Sequence, residues 1–279
     1  MRRIDKPKTT AKKVFEDCIS NVSVDALKTE LANSMDSIEN AENDFDDKKG
    51  RNELYLIARN TFVNKVVNAE VLKGIYTNRM VNKNNKGRVY YDELLLSAPN
   101  GRCPLCGQRI ATTLDHYLPK SEYPMLSVSP INLIPACTDC NKGKQINYPT
   151  KDEEETIHPY YDNIEDVEWL KCKLIQVNPI IFDFFVNPPI VWSKLLTERV
   201  KNHFSSFKIN SLYCSHASEE FENIKHQIEN LFVTGGTKLL RDHLKDCFDS
   251  RYKVNKNSWQ TAFYSGILND VGFCNGNFI

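Results

Sequence analysis

Apolar residues recur at helical spacing through much of the first hundred residues. The clearest stripe advances in steps of three and four, so it predicts a helix with one face buried in a core. Its members are Tyr55, Ala58, Phe62, Val66 and Ala69. Between Val14 and about Asn40 the spacing is less even, and the run Glu39–Lys49 predicts a charged connection. The pattern therefore predicts an N-terminal helical region over residues 1–98.

Three shorter features complete this region. Asn82–Gly87 has the composition of a turn, and Tyr90–Leu96 predicts a short helix after it. At the other end, residues 1–13 contain six Lys or Arg against one Asp. This basic arm is either a frayed terminus or a tail that contacts phosphate groups.

The hydrophobic pattern changes its period after residue 165. In Val167–Val177 polar and apolar residues alternate as in a half-buried strand, and Pro179–Val186 predicts a second extended segment. Helical stripes then return: Trp192, Leu196, Val200, Phe204 and Phe207, followed by Phe221, Ile224, Ile228 and Leu231. Gly235-Gly236 interrupts the pattern before two more predicted helices. Residues 166–279 are therefore predicted to form a β-hairpin plus a helical region.

The composition is that of an ordinary folded protein. Hydrophobic residues make up 41% of the 279 residues and aromatic residues 10%, which excludes an intrinsically disordered chain. No apolar stretch follows Met1-Arg2-Arg3, so no secretory signal is expected. The most apolar run, Pro179–Val186, is too short to span a membrane. We therefore expect a cytoplasmic protein that has no membrane partner.

Nine cysteines, an odd number, do not fit a disulfide framework, but four of them form matched pairs. Two residues separate Cys103 from Cys106 and Cys137 from Cys140, and 30 residues lie between the pairs. Two such pairs can bring four thiolates to one tetrahedral ion, which makes a closed site without a position for substrate. We predict a structural Zn²⁺ here, whose loss unfolds this small segment.

The segment between the cysteine pairs carries residues suited to hydrolysis. A predicted strand ends in Asp115-His116, and a second predicted strand returns from Asn132. A short helix over Thr138–Ile146 would then carry Asn141 to the same place. Histidine can act as a base near neutral pH, and carboxylate and amide oxygens suit Mg²⁺. The alternative is that Asp115 and His116 form a hydrogen-bonded pair that only supports the cysteine cluster.

The order Cys-x-x-Cys, DHYLPK and NLIPAC-x-x-CN-x-x-K resembles the HNH endonucleases of the ββα-metal, or His-Me finger, superfamily. The resemblance covers about 60 residues, roughly a fifth of the chain. It implies a small zinc-stapled ββα-metal module over residues 99–165, between the N-terminal helical region and the C-terminal hairpin-plus-helices region. The expected fold class is therefore α+β and mainly α-helical.

The resemblance also implies a role for each polar residue of the module. His116 would be the general base that activates water, and Asn132 would orient this base through the loop backbone. Asp115 and Asn141 would ligate a catalytic Mg²⁺ or Mn²⁺. Many members of the family have His where this chain has Asn141, and an amide oxygen favours a hard ion such as Mg²⁺.

Four further residues are candidates for contact with nucleic acid: Lys120, Lys142, Lys144 and His158. For the lysines, the alternative is a solvated side chain. For His158, the alternative is packing beside Tyr160 and Tyr161. The acidic run Asp152–Glu155 is predicted to be a solvated loop, because a run of like charges would repel DNA.

The activity that the resemblance implies is hydrolysis of DNA phosphodiester bonds. However, the chain has 36 basic and 36 acidic residues, so its net charge is zero. Residues 101–162 contain 6 basic and 8 acidic residues. A protein that grips DNA alone usually carries an excess of positive charge. We therefore expect the chain to act as the effector of a larger complex. Its layout is similar to that of HNH subunits of bacterial anti-phage defence systems such as the Septu type, and this resemblance implies an ATPase subunit as the partner. The alternatives are an RNA or single-strand nuclease and a non-catalytic zinc-binding interaction module.

Overall fold

Helices build the N-terminal region of the computed structural model, which describes residues 1–144 and 147–279. They are α1 (Ala11–Ile19), α2 (Asp25–Asn33), α3 (Met35–Arg51), α4 (Ala69–Ile75) and α5 (Arg88–Leu96). Side-chain caps fix two of the starts, since Thr10 accepts a hydrogen bond ahead of α1 and Asn68 accepts two ahead of α4. The helix predicted at Tyr90–Leu96 is confirmed as α5. Apolar residues of these helices share one core with Leu114 and Leu133 of the cysteine-containing segment.

The prediction of a charged connection at Glu39–Lys49 is wrong, because these residues lie within α3. The buried face of α3 has helical spacing and comprises Ile38, Glu42, Phe45 and Lys49. Half of this face is charged, so the sequence shows no continuous apolar stripe. The charge of Glu42 is satisfied inside the protein, where its carboxylate accepts hydrogen bonds from the Ala11 amide and the Ser129 hydroxyl.

The helix predicted from Tyr55 to Ala69 is also wrong, since most of this segment is irregular until α4 begins. Instead, asparagine side chains accept hydrogen bonds from nearby backbone amides and stabilise non-helical turns. The side-chain oxygen of Asn64 accepts hydrogen bonds from the backbone amides of residues 66 and 67. Asn60 adopts the left-handed conformation with φ of 57°. The Phe62 side chain, a member of the predicted buried stripe, is 50% exposed.

The start of the basic arm is bound to the module that follows the helices. The Arg2 amide donates a hydrogen bond to the Pro104 carbonyl at 2.9 Å, and the Ile4 amide donates one to the Pro159 carbonyl at 3.1 Å. The side chains of Met1 and Ile4 are buried. The frayed-terminus alternative is therefore wrong for residues 1–4.

The cysteine-containing segment folds in the predicted order of strand, loop, strand and helix. Its elements are β1 (Thr113–His116), β2 (Leu133–Ala136) and α6 (Thr138–Lys144). The strands are antiparallel, with His116 opposite Leu133. The last two residues of the helix predicted over Thr138–Ile146 lie outside the described residues.

The chain separates into two compact units, 1–162 and 163–279. The N-terminal helices and the cysteine-containing segment belong to the same unit, because the core described above includes residues of both. The boundary predicted after residue 98 therefore falls inside the first unit, and the one predicted after residue 165 falls just inside the second.

The second unit combines the predicted hairpin with helices. Strand β3 (Leu170–Val177) pairs with the antiparallel β4 (Ile180–Val186). The helices are α7 (Lys194–Ser206), α8 (Ile209–Val254), α9 (Trp259–Asn269) and α10 (Val271–Cys274). Gly236 interrupts α8 with non-helical angles, φ 63° and ψ −160°, at the predicted glycine pair. The α+β class with a predominance of helix is confirmed. Within the described parts of the chain, no helix combines the length and apolar character needed to cross a membrane.

A buried ion pair connects α3 to the segment that follows the module. The Lys49 ammonium donates a hydrogen bond to the Glu155 carboxylate at 3.0 Å, and both side chains are fully buried. The other oxygen of Glu155 accepts a hydrogen bond from the Leu54 amide at 2.8 Å. The prediction that Asp152–Glu155 is a solvated loop is therefore wrong for Glu155. Because an uncompensated buried charge is costly, losing one partner destabilises the fold more than the intact pair stabilises it.

We expect Glu155→Ala to lower the free energy of unfolding by about 1–3 kcal/mol. The Leu54 amide loses its acceptor, whereas the Lys49 ammonium loses its nearest carboxylate but keeps Asp162 at 3.7 Å. Urea unfolding followed by circular dichroism measures the change. Glu153→Ala is the matched control, since it removes a more exposed carboxylate of the same run, and it should change little. A loss of less than about 1 kcal/mol for Glu155→Ala would contradict a buried pair.

Candidate active site

The four paired cysteines come together at one point. Cys103 and Cys106 lie on the turn before β1, and Cys137 and Cys140 lie at the start of α6. All four are buried, and their sulfur atoms lie within 4.8 Å of one another. The first turn is tight, because the Gly107 amide donates to the Cys103 carbonyl at 2.7 Å while Gly107 adopts φ of 70°, which favours glycine. The cluster predicted from the cysteine spacing is confirmed.

This cluster fits a structural metal ion such as zinc. None of its sulfur atoms is in a disulfide, and four thiolates are a donor set that Zn²⁺ prefers. Four thiolates this close together would repel one another, so a cation at their centre is needed to keep all four deprotonated. With four protein ligands the site has no open position, so it would stabilise the fold and take no part in a reaction.

An ion pair with α6 holds the Asp115 carboxylate at the end of β1. The Lys144 ammonium donates a hydrogen bond to Asp115 Oδ2 at 3.0 Å and another to the His116 carbonyl. Both charged side chains are buried. Burial raises the pKa of Asp115, which the Lys144 ammonium opposes, and burial lowers the pKa of Lys144. The carboxylate thus faces a cation.

His116 is fixed by the loop between β1 and β2. Its Nε2 lies 2.8 Å from the Ser127 carbonyl oxygen. A carbonyl oxygen only accepts, so Nε2 carries the hydrogen and donates it. Burial lowers the pKa of His116, the hydrogen bond with the Ser127 carbonyl opposes this shift, and the charges of Lys120 and Lys144 add to the effect of burial. The imidazole is therefore neutral near pH 7, and Nδ1 is the nitrogen that can accept a proton.

Asn132 binds the same loop on both sides. Its side-chain oxygen accepts a hydrogen bond from the Leu118 amide at 2.7 Å. Its amide nitrogen donates to the carbonyls of Leu118 at 3.0 Å and Leu126 at 3.3 Å. Asn132 is completely buried, so these bonds replace its contacts with water. Asn132 thereby links the chain just after His116 to the chain just before Ser127.

Asn141 lies at the same strand end as the carboxylate. Its Nδ2 approaches the Leu114 carbonyl at 3.5 Å, and Leu114 directly precedes Asp115. Carboxylate and amide oxygens are the hard ligands that Mg²⁺ and Mn²⁺ prefer. In this structure the positive charge next to Asp115 Oδ2 is the Lys144 ammonium, which lies where a metal ion would bind. Asp115 and Asn141 thus offer the donor types that suit a hard divalent ion, and Lys144 Nζ is the group that would have to move from Asp115 Oδ2.

The candidates for nucleic-acid contact differ in their surroundings. Lys142 is exposed on α6, and Lys120 is half-buried. Lys144 is buried against Asp115 and does not face solvent. The imidazole of His158 is fully buried among the rings of Phe45, Tyr117, Tyr160 and Tyr161. A phosphate group therefore cannot reach His158 in this structure, which favours the packing alternative.

Two contacts of His116 involve residues outside the predicted site, Ser127 and Tyr76. Ser127 contributes its backbone carbonyl, a group that every residue type carries, so no sequence signal marks it. The Tyr76 ring lies 4.4 Å from the imidazole ring, centroid to centroid. Tyr76 is buried together with Leu72 and Met80. Their spacing of four residues is a helical pattern that could have placed Tyr76 on a buried face.

Comparison with known proteins agrees with the geometry. Residues 103–145 match the family model of HNH endonuclease, which confirms the resemblance inferred from the motifs. Protein ea31 of Escherichia phage lambda is 29% identical over 223 residues, which cover 74% of this chain and 74% of ea31. The Septu protein PtuB of Bacillus thuringiensis is 36% identical over 81 residues, 27% of this chain and 31% of PtuB. No solved structure matches the chain.

We expect the purified protein to contain about one zinc ion per chain, and Cys137→Ser to lose this ion together with the fold of the module. Atomic emission spectroscopy measures the metal, and circular dichroism measures the melting. Cys214→Ser is the control, because this thiol of the second unit donates a hydrogen bond to the Phe182 carbonyl and lies outside the cluster. Full zinc content in Cys137→Ser would rule out a site that needs all four thiolates.

Proposed function

We propose that this chain, which carries an HNH endonuclease domain at residues 103–145, is a metal-dependent nuclease that hydrolyses DNA phosphodiester bonds. The observation that carries the proposal is the hydrogen bond between His116 Nε2 and the Ser127 carbonyl. It sets the tautomer in which Nδ1 accepts a proton, which is the form that a general base needs.

Each polar residue near the end of β1 can have a different role in the hydrolysis. His116 Nδ1 takes a proton from a water molecule, whose oxygen attacks phosphorus as the bond to the leaving oxygen breaks. Asn132 keeps the loop, and hence the imidazole, in place during this transfer. Asp115 and Asn141 would hold Mg²⁺ or Mn²⁺, which supplies positive charge against the charge that develops on the phosphate and the leaving group. The Lys120 ammonium adds positive charge on the side of the base.

The net charge bears on how the substrate is bound. The 36 basic and 36 acidic side chains give the chain no overall attraction for DNA. We therefore propose that affinity comes from local contacts such as Lys120 and Lys142 and from a protein partner. The match of 81 residues to a protein named Septu protein PtuB supports a role as the effector subunit of an anti-phage defence complex. An ATPase subunit is the partner that we propose for it.

We expect the wild-type protein to nick supercoiled plasmid with Mg²⁺ or Mn²⁺ and to stop when EDTA is added. His116→Ala should lose this activity by at least about 100-fold, since general base catalysis is worth 10²–10⁴-fold. Its zinc content should remain unchanged. His226→Ala, a histidine of α8 in the second unit, is the control and should cut like wild type.

The same assay separates the alternatives. Cutting of RNA or single-stranded DNA in preference to plasmid would replace the proposed substrate and leave the catalytic residues in place. In a non-catalytic zinc module, His116→Ala would have no activity to lose, whether or not proteins that copurify with the chain are added. It would then show only a stability loss of about 1–3 kcal/mol, from the Ser127 carbonyl left without its donor.

We expect Lys142→Ala to weaken DNA binding and to reduce the slope of log K against log [salt] by about one, because one phosphate contact is lost. Fluorescence anisotropy with Ca²⁺, which should not support cutting, measures the binding. Lys151→Ala is the matched control, since its ammonium is exposed but pairs with Glu153. If the slopes for Lys142→Ala and wild type were equal, Lys142 would not contact a DNA phosphate.

A further inference from the structure

Helix α4 of the N-terminal region does not end regularly but widens into a π-helical turn, Tyr76–Met80. The Val81 amide donates its hydrogen bond to the Tyr76 carbonyl, five residues earlier. Such turns are rare, and they occur often at functional sites because they reposition side chains. This turn lies outside residues 103–145, so the match to the HNH family does not account for it.

The first residue of the turn packs against the proposed base. The rings of Tyr76 and His116 are 4.4 Å apart at their centroids and inclined at 71°, an edge-to-face arrangement that aromatic pairs favour. Tyr76 is only 7% exposed, so its own position is set by the surrounding core. A rigid ring in this place restricts rotation of the imidazole.

The other contact that fixes His116 leads back to the same helix. The Ser127 carbonyl accepts the hydrogen bond from His116 Nε2, and the Ser127 hydroxyl donates one to the Leu72 carbonyl at 2.9 Å. Leu72 lies on α4, one turn before Tyr76. The hydrogen-bond acceptor and the aromatic neighbour of His116 are therefore both attached to one helix, which comes from outside the family motif.

The turn also positions a cation near the base. The Lys120 ammonium lies 4.5 Å from the centroid of the Tyr76 ring and donates a hydrogen bond to the Thr77 hydroxyl at 3.1 Å. Loss of the Tyr76 ring would leave this second contact intact. Lys120 would then keep its hydrogen bond to Thr77, whereas the imidazole of His116 would lose the ring that packs against it.

We propose that Tyr76 is a positioning residue for His116, and that the π-helical turn makes the N-terminal region part of the active site. The ring keeps Nδ1 directed at the attacking water while Ser127 keeps the proton on Nε2. The inference rests on the proposed nuclease function. It assigns the orientation of the base to an aromatic contact that the HNH motif does not contain.

The test compares Tyr76→Leu with Tyr76→Phe. The leucine variant should lower kcat by about 10–100-fold, because small misplacements of a catalytic group cost rate, whereas the Kd for DNA in Ca²⁺ should stay near the wild-type value. The phenylalanine variant retains the ring and should restore kcat. Tyr91→Leu controls for stability, since Tyr91 is also 7% exposed in the same core. A normal kcat for Tyr76→Leu, or a low one for Tyr76→Phe, would overturn the proposal.

A second measurement does not depend on cutting. Without the Tyr76 ring, the imidazole should rotate away from the Ser127 carbonyl and lose the hydrogen bond that fixes its tautomer. The ¹⁵N shifts of His116 should therefore report a single tautomer with the proton on Nε2 in wild type and Tyr76→Phe, and an averaged state in Tyr76→Leu. A fixed tautomer in folded, zinc-loaded Tyr76→Leu would overturn the positioning role. If wild type cuts no nucleic acid under any condition, the nuclease function fails, and these shifts still decide whether Tyr76 orients His116.

Discussion

The first unit is built around a strand that ends in two polar residues, the buried Asp115 and the half-buried His116. A buried charge or unpaired polar group costs free energy, so each must find a partner inside the protein. Asp115 finds the Lys144 ammonium of α6, and His116 finds the Ser127 carbonyl of the loop. These partners come from different elements, so β1 can end as it does only if the helix and the loop both reach it. The cysteine cluster joins the turn before β1 to the start of α6, which is the connection that this arrangement requires.

The residues proposed for catalysis and the residues that stabilise the module are therefore different, but they depend on each other. The four thiols fix where α6 begins, and α6 carries Lys144 and Asn141 to the strand end. The loop is held by Asn132 from within and by α4 from outside, through the bond from the Ser127 hydroxyl to the Leu72 carbonyl. Farther away, the Lys49–Glu155 pair attaches α3 to the segment after the module. A helical layer that contributes to the environment of His116 explains why these helices and the module share one unit.

Local spacing was enough to predict the cysteine cluster, the strand–loop–strand–helix order, the hairpin and the break in α8. These features depend on residues close in sequence or on a specific motif. The failures involve partners that are distant in sequence. The acidic run predicts a solvated Glu155, because its partner Lys49 lies 106 residues away in the sequence. The sequence does not predict α3 because buried charged residues interrupt its apolar face. It predicts a helix over Tyr55–Ala69 because the apolar residues have helical spacing, but hydrogen bonds of asparagine side chains hold this segment in turns. The contact between Tyr76 and His116 could not be predicted, since it depends on how α4 packs against the module.

Crystallography of the zinc-loaded protein soaked in Mn²⁺, with anomalous data at the manganese edge, tests most directly whether the strand end is a catalytic metal site. The account predicts an anomalous peak between the Asp115 and Asn141 side chains, with the Lys144 ammonium displaced from Asp115 and the bond from His116 to Ser127 unchanged. If no manganese binds there and the Lys144–Asp115 pair persists at saturating Mn²⁺, the strand end is a structural ion pair, which would contradict the account.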